Sequence, residues 1–148
     1  MTSPAAPPPT LEFVSVARGA APGVRSGSAY RAHGLEPGVH HGLPSTTLTM
    51  IFSLDGPVVG AQEDVVDRAP TRLRSDHAAS AALRADLVLA GLHTAPVLIE
   101  QPTRQEGIQL QLDPLAARAL FGVRAADLVG GFDGTEVLGR AGQDLWEQ

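Results

Sequence analysis

Residues 107–112 read GIQLQL, and no other stretch restricts the fold of this chain as tightly. On an extended strand Ile108, Leu110 and Leu112 share one face while Gln109 and Gln111 share the other. A slip of one residue would exchange the faces, so the register has to be set by a core on the apolar side. The alternation ends at Asp113-Pro114, which pairs a capping side chain with a proline suited to the first helical position. Leu115, Ala119 and Leu120 then give the helix an apolar face, and Gly122 stops it at the position after its end. The chain therefore changes from strand to helix at Asp113.

Upstream, the pattern is strand after strand. Residues 46–54 (TTLTMIFSL) are β-branched and apolar, alternate through Leu48, Met50, Phe52 and Leu54, and run into the turn residues Asp55-Gly56-Pro57. Residues 11–17 read as a half-buried strand, 28–32 as a short extended piece, 58–61 as a partner strand and 86–92 (DLVLAGL) as a buried one. Residues 97–100 (VLIE) and 107–112 form two strands joined by residues 101–106, as in a hairpin with a longer loop. Three glycines and two prolines make residues 34–44 irregular. Residues 62–84 are mostly polar, with at most a helical turn at 80–83. Downstream, a second short helix fits 125–129 and is stopped by Gly130-Gly131. Residues 141–148 (AGQDLWEQ) look like the beginning of a helix, with Leu145 and Trp146 as its apolar residues. Strands followed by short helices are the α+β pattern.

Composition narrows the function more than it names it. The 148 residues suit one domain: a disordered Pro/Ala-rich tail over 1–10, a folded unit over 11–140, and a truncated linker helix over 141–148. The net charge is −5, from 11 cations that are all arginine and 16 acids. Scattered arginines on an acidic chain argue against binding to nucleic acid by this chain alone. The absence of cysteine rules out disulfides, thiolate metal sites and a cysteine nucleophile. The N-terminus has no signal-peptide pattern and no apolar run is long enough to span a bilayer, which makes the cytoplasm the expected location.

The residues offer little chemistry. His33, His40, His41, His77 and His93 lack metal-ligand spacing, and consecutive His40 and His41 would point to opposite faces of an extended segment. Neither phosphate-binding loop nor nucleophile elbow occurs. His93 lies between two apolar stretches, either as a core histidine bonded to backbone or as a polar group facing a ligand at a barrel mouth. Gln109 and Gln111 are either a solvent face or a polar wall for a small molecule.

Three segments carry a resemblance. GLPSTTLTMIFSL over 42–54, GLHTAPVLI over 91–99 and GIQLQLDPLAARALFG over 107–122 stand in an order and spacing that resemble the N-terminal domain of actinobacterial AraC-type transcription regulators. Ala125-Ala126-Asp127-Leu128 is similar to the acidic-aliphatic helix that follows there. The likeness runs from Tyr30 to the end of the chain. It departs at Ala116, where the pattern has glycine, and at His41, where it has arginine.

The resemblance implies a small β-rich barrel or cupin-like sheet followed by short C-terminal helices. Such a domain would sense a small-molecule effector or support a homodimer. It would perform no catalysis, need no cofactor, and reach DNA only through a helix-turn-helix region that this chain does not include. His93, Gln109 and Gln111 are the expected ligand-facing residues, and Leu145 and Trp146 the expected dimer contacts. Two other readings stand beside this one. A small cupin-like metal-dependent enzyme would bring at least three of the five histidines to one point, and a pure dimerisation module would depend on the last eight residues.

Overall fold

The computed structural model describes residues 8–16, 21–62, 83–128 and 130–139. Ten strands account for most of them: β1 (Thr10–Val16), β2 (Val24–His33), β3 (Gly38–Gly42), β4 (Leu48–Ser53), β5 (Val58–Gln62), β6 (Leu83–Ala85), β7 (Leu87–Ala90), β8 (Val97–Gln101), β9 (Arg104–Leu112) and β10 (Gly131–Asp133). Two short helices, α1 (Ala117–Phe121) and α2 (Gly134–Leu138), lie in the C-terminal part, with 3-10 turns at Pro114–Ala116 and Ala125–Asp127. No helix among the described residues is long and apolar enough to cross a membrane.

The strands form two sheets, in the orders β1-β2-β9-β4-β7-β10 and β3-β8-β5-β6, and every pairing is antiparallel. The pairs β2–β9, β3–β8, β4–β7 and β5–β6 are nested, as though one long hairpin had been folded over. Lateral pairs β4–β9 and β5–β8 then knit the nested pairs into sheets. The mostly antiparallel fold with short C-terminal helices is the α+β arrangement expected from the sequence.

The apolar side of β9 sets the core. Leu112 pairs with Leu48, Leu110 with Met50 and Ile108 with Phe52, so these six side chains share a face of the six-stranded sheet. Met50 and Phe52 continue into Leu89 and Leu87 on β7. Leu48, Met50, Leu87, Leu89 and Leu112 are buried there together with Ala117 and Leu128 of the helical segment. Full burial of each large aliphatic side chain contributes about 1.5–3 kcal/mol.

Asp113 joins this sheet to the helices. Its carboxylate accepts a hydrogen bond from Leu115 N at 2.9 Å, which is the capping role expected of it. The β2–β9 register shifts between Val24 and Ser26, leaving Arg25 as the extra residue of a bulge. From there Arg25 donates to Asp113 Oδ2 at 2.9 and 3.2 Å. The Leu115 N–H, followed by the Arg25 guanidinium, holds the Asp113 carboxyl below its ordinary pKa. A lowered folded-state pKa stabilises the fold at neutral pH, and that contribution fades as pH falls from about 4 through the folded value. Asp113→Ala is therefore expected to lower the melting temperature at pH 7 and to flatten its decline in acid. Thermal melts across that range would show this.

The helix and loop expectations need four corrections. Leu115 is 92% exposed and Leu120 is 41% exposed, and Ala119 is exposed too, so the expected apolar face is the wrong one. A 3-10 turn precedes α1 and resets the phase, and Ala117 and Phe121 meet the core instead. In place of the helix expected over 125–129, Ala125–Asp127 form a 3-10 turn closed by the Arg124–Asp127 ion pair at 2.7 Å, and residue 129 lies outside the described residues. The stretch 34–44 contains β3, because pairing with β8 supplies order that its glycines and prolines do not. Gly42 makes the pairing close, since a Cβ there would lie 2.8 Å from Val97 Cγ2. Finally, β8 and β9 are not a hairpin. They lie in different sheets, where each becomes a central strand with two partners.

Candidate ligand-binding face

The two glutamines of β9 point away from the helical core, and the register shows what shares their face. One row across the six-stranded sheet runs Ser26, Gln111, Thr49, Ala90 and Gly131. The next runs Ser15, Ser28, Gln109, Ile51, Val88 and Asp133. Hydroxyl and amide groups fill the β1–β2–β9 side, and aliphatic groups the β7 side. The one charge in the two rows is Asp133, whose carboxylate caps α2 by accepting from Thr135 N at 2.9 Å and Thr135 Oγ1 at 2.6 Å.

This face is open at β1, where Ser15 is exposed, and covered farther in. Val88 and Ala32 on it are buried, although both point away from the helices. A Cβ added to Gly131 would lie 3.1 Å from Leu83 Cδ2 of the four-stranded sheet, so the Leu83 side chain reaches across the gap. Leu83 belongs to the row Leu83, Gly60, Ile99 and His40. The polar face and this row therefore look toward each other, with Gly60 leaving room between them.

Gln111 is held in place. Its Oε1 accepts from Thr47 Oγ1 and, at 3.4 Å, from Thr49 Oγ1. Ser45 braces Thr47 in turn, at 2.8 Å between the hydroxyls and 3.1 Å from Thr47 N. Spending both hydroxyls on the amide oxygen leaves the Gln111 NH2 to donate elsewhere. Gln109, half-buried two residues away, has no side-chain hydrogen bond among the described residues. Its whole amide is thus available on a face screened from bulk water.

His93 takes a different place. It follows the end of β7, and its Nδ1 lies 3.1 Å from Gly91 O. A carbonyl only accepts, so Nδ1 carries the proton of this bond. The ring's Nε2 is buried without a partner. The structure brings Gln109 and Gln111 together on one strand, and His93 bonds to its own loop with no bond to either. Leu145 and Trp146 lie outside the described residues.

Two residues escaped the sequence reading. Tyr30 sits in the row beside Gln109 and lays its ring over Gly107, where a Cβ would fall 2.8 Å from the Tyr30 hydroxyl and 2.5 Å from Phe52 O. Burial, followed by the nearby negative charge of Asp55, raises the pKa of this phenol and so favours the protonated hydroxyl, a potential donor. The available signal was Gly107 itself, a glycine inside an alternating strand. His40 was placed in a loop but stands on β3, in register with Ile99, with its side chain exposed. Partial burial, then the neighbouring His41, lowers its pKa and favours a neutral ring.

Among the described residues no group of three or more His, Asp or Glu side chains is placed to hold a metal ion. His77 lies outside them. No protein-family model matches the sequence, and neither a curated protein nor a solved structure matches it.

Proposed function

We propose that this chain is a regulatory ligand-binding module of the AraC type, without catalytic or DNA-binding activity of its own. The observation that carries the ligand-binding reading is the half-buried cluster of uncharged polar residues Ser26, Ser28, Gln109, Gln111 and Tyr30 on one face. Hydrogen-bonding groups gathered between two sheets and left partly unpaired are costly unless something polar meets them. An uncharged molecule with hydroxyl, amide or carbonyl groups suits them, because the one charged side chain in the rows, Asp133, is engaged in capping Thr135. Nested pairing in two four-strand sets, β2-β9-β4-β7 and β3-β8-β5-β6, supports a closed, cupin-like barrel of the double-sheet jelly-roll kind. The regulator reading itself draws on the sequence likeness, and the net charge of −5 supports leaving DNA contact to another region.

Thermal shift against a panel of small neutral alcohols, amides and ketones tests the site. A ligand at a hundred times its dissociation constant would stabilise the protein by about 2.7 kcal/mol. Gln109→Leu is expected to cut that affinity at least tenfold while leaving the unliganded melt close to wild type. A ligand whose shift survives Gln109→Leu and Gln111→Leu unchanged binds elsewhere and removes the basis for the site.

A further inference from the structure

We infer that β1 is a self-pairing edge, on which a second copy of this chain adds antiparallel to extend the six-stranded sheet across a twofold axis. A sheet edge exposes unpaired backbone N–H and C=O groups, and proteins blunt such edges by shortness, charge, proline or a bulge. Among the described residues, three of the four edges here are poor templates. Strands β6 and β10 span three residues each, and β3 is a five-residue strand with glycine at both ends and two histidines within. The seven-residue β1 has no proline and pairs with β2 without a register break. Its one charge, Glu12, lies opposite Arg31 and is partly offset by it.

The side chains point the same way. Leu11, Phe13 and Val14 are 58, 62 and 68% exposed, a cluster of large apolar groups on a strand that has solvent on its open side. The sequence TLEFVSV is self-complementary when turned about Phe13. That register sets Phe13 against Phe13 of the second copy, Leu11 against Ser15, and Glu12 against Val14. It places no like charges opposite one another, and a cross-strand aromatic pair is among the stabilising ones. The second copy is thus the occupant whose chemistry the strand already matches. This edge borders the ligand face, since Phe13 stands opposite Tyr30, but the pairing uses the backbone of β1 and not the Gln109 amide.

Sedimentation velocity tests the inference. The wild-type chain is expected to sediment at twice its 15.4 kDa mass. Phe13→Lys and Val14→Lys should each raise the dimer dissociation constant at least tenfold, whereas removal of residues 141–148 should leave it unchanged. The cysteine-free sequence provides a measurement that does not rely on the lysine variants folding. Phe13→Cys should cross-link two chains under mild oxidation, while Leu115→Cys, more open to solvent still, should not. A monomeric wild type, a dimer insensitive to both lysines, or a Phe13→Cys protein that cross-links no better than Leu115→Cys would overturn the proposal. A dimer lost on removing 141–148 but kept in the β1 variants would do so as well. Val14→Lys, on the opposite side of β1 from Phe13 and Tyr30, separates loss of the dimer from any effect on the Gln109 face.

Discussion

Gly91→Ala is expected to destabilise the protein by about 3 kcal/mol or more, enough to threaten folding in a domain of ordinary stability. A Cβ at this position would overlap the Leu128 carbonyl oxygen, and the Leu128 Cβ lies 3.1 Å away as well. The obstacle is backbone, so no side chain can rotate aside to relieve it. Two main-chain hydrogen bonds hold the segments at this spacing, Gly91 N to Gly130 O at 2.7 Å and Leu92 N to Leu128 O at 3.1 Å. Separating the strands enough to admit a methyl group would stretch both bonds. It would also lift Leu128, which belongs to the buried core, and disturb the Gly91 carbonyl that orients His93. Urea denaturation should show the transition moving to lower concentration with a similar slope. Gly56→Ala offers a comparison, because a Cβ there meets nothing within 4 Å and only its positive φ of 127° opposes the change.

The same contact explains why part of this fold could be read in advance. Local rules work where one segment contains the whole cause. Strict alternation over 107–112 gave the faces of β9, and Asp113-Pro114 gave the cap, which the structure realises through the Leu115 N–H. Gly122 ends α1 with a φ of 72°, as a residue in that position should. Other features have causes that lie far off in sequence. Residues 38–42 become a strand only because β8 is available to pair, and β8 avoids a hairpin with β9 because each finds two better-placed partners. For α1, the apolar pattern was phased from Asp113 as though the helix began there. The intervening 3-10 turn advances the chain differently and exposes Leu115. The candidate site divides along the same line. Gln109 and Gln111 were visible through alternation, while Tyr30 and His40 required knowing which strands stand beside and across from β9.

Leu89→Ala is expected to cost about 2–5 kcal/mol, whereas Leu115→Ala should stay within about 0.5 kcal/mol of wild type. Both are leucines on apolar faces as the sequence presents them. Leu89 has 0% exposure and stands between Met50 and the helical segment, so its truncation leaves a cavity that the flanking strands cannot close without breaking their ladders. Leu115, at 92% exposure, already faces water and loses almost nothing. The consequence for the ligand face follows from the two-sided sheet. Leu110 and Gln111 are adjacent on β9, so a core that repacks beneath Met50 and Leu110 moves the backbone that aims Gln111 and Gln109. Leu89→Ala should therefore weaken ligand-induced stabilisation as well as the unliganded fold. Val88, on the opposite side of β7 and in the Gln109 row, gives the discriminating variant. Val88→Ala removes fewer buried atoms but removes them from the ligand side. It should change affinity more, relative to its effect on stability, than Leu89→Ala does. Chemical denaturation paired with thermal shift on the same variants would measure both quantities. Equal ratios for the two variants would mean that the face behind Gln109 plays no part in binding.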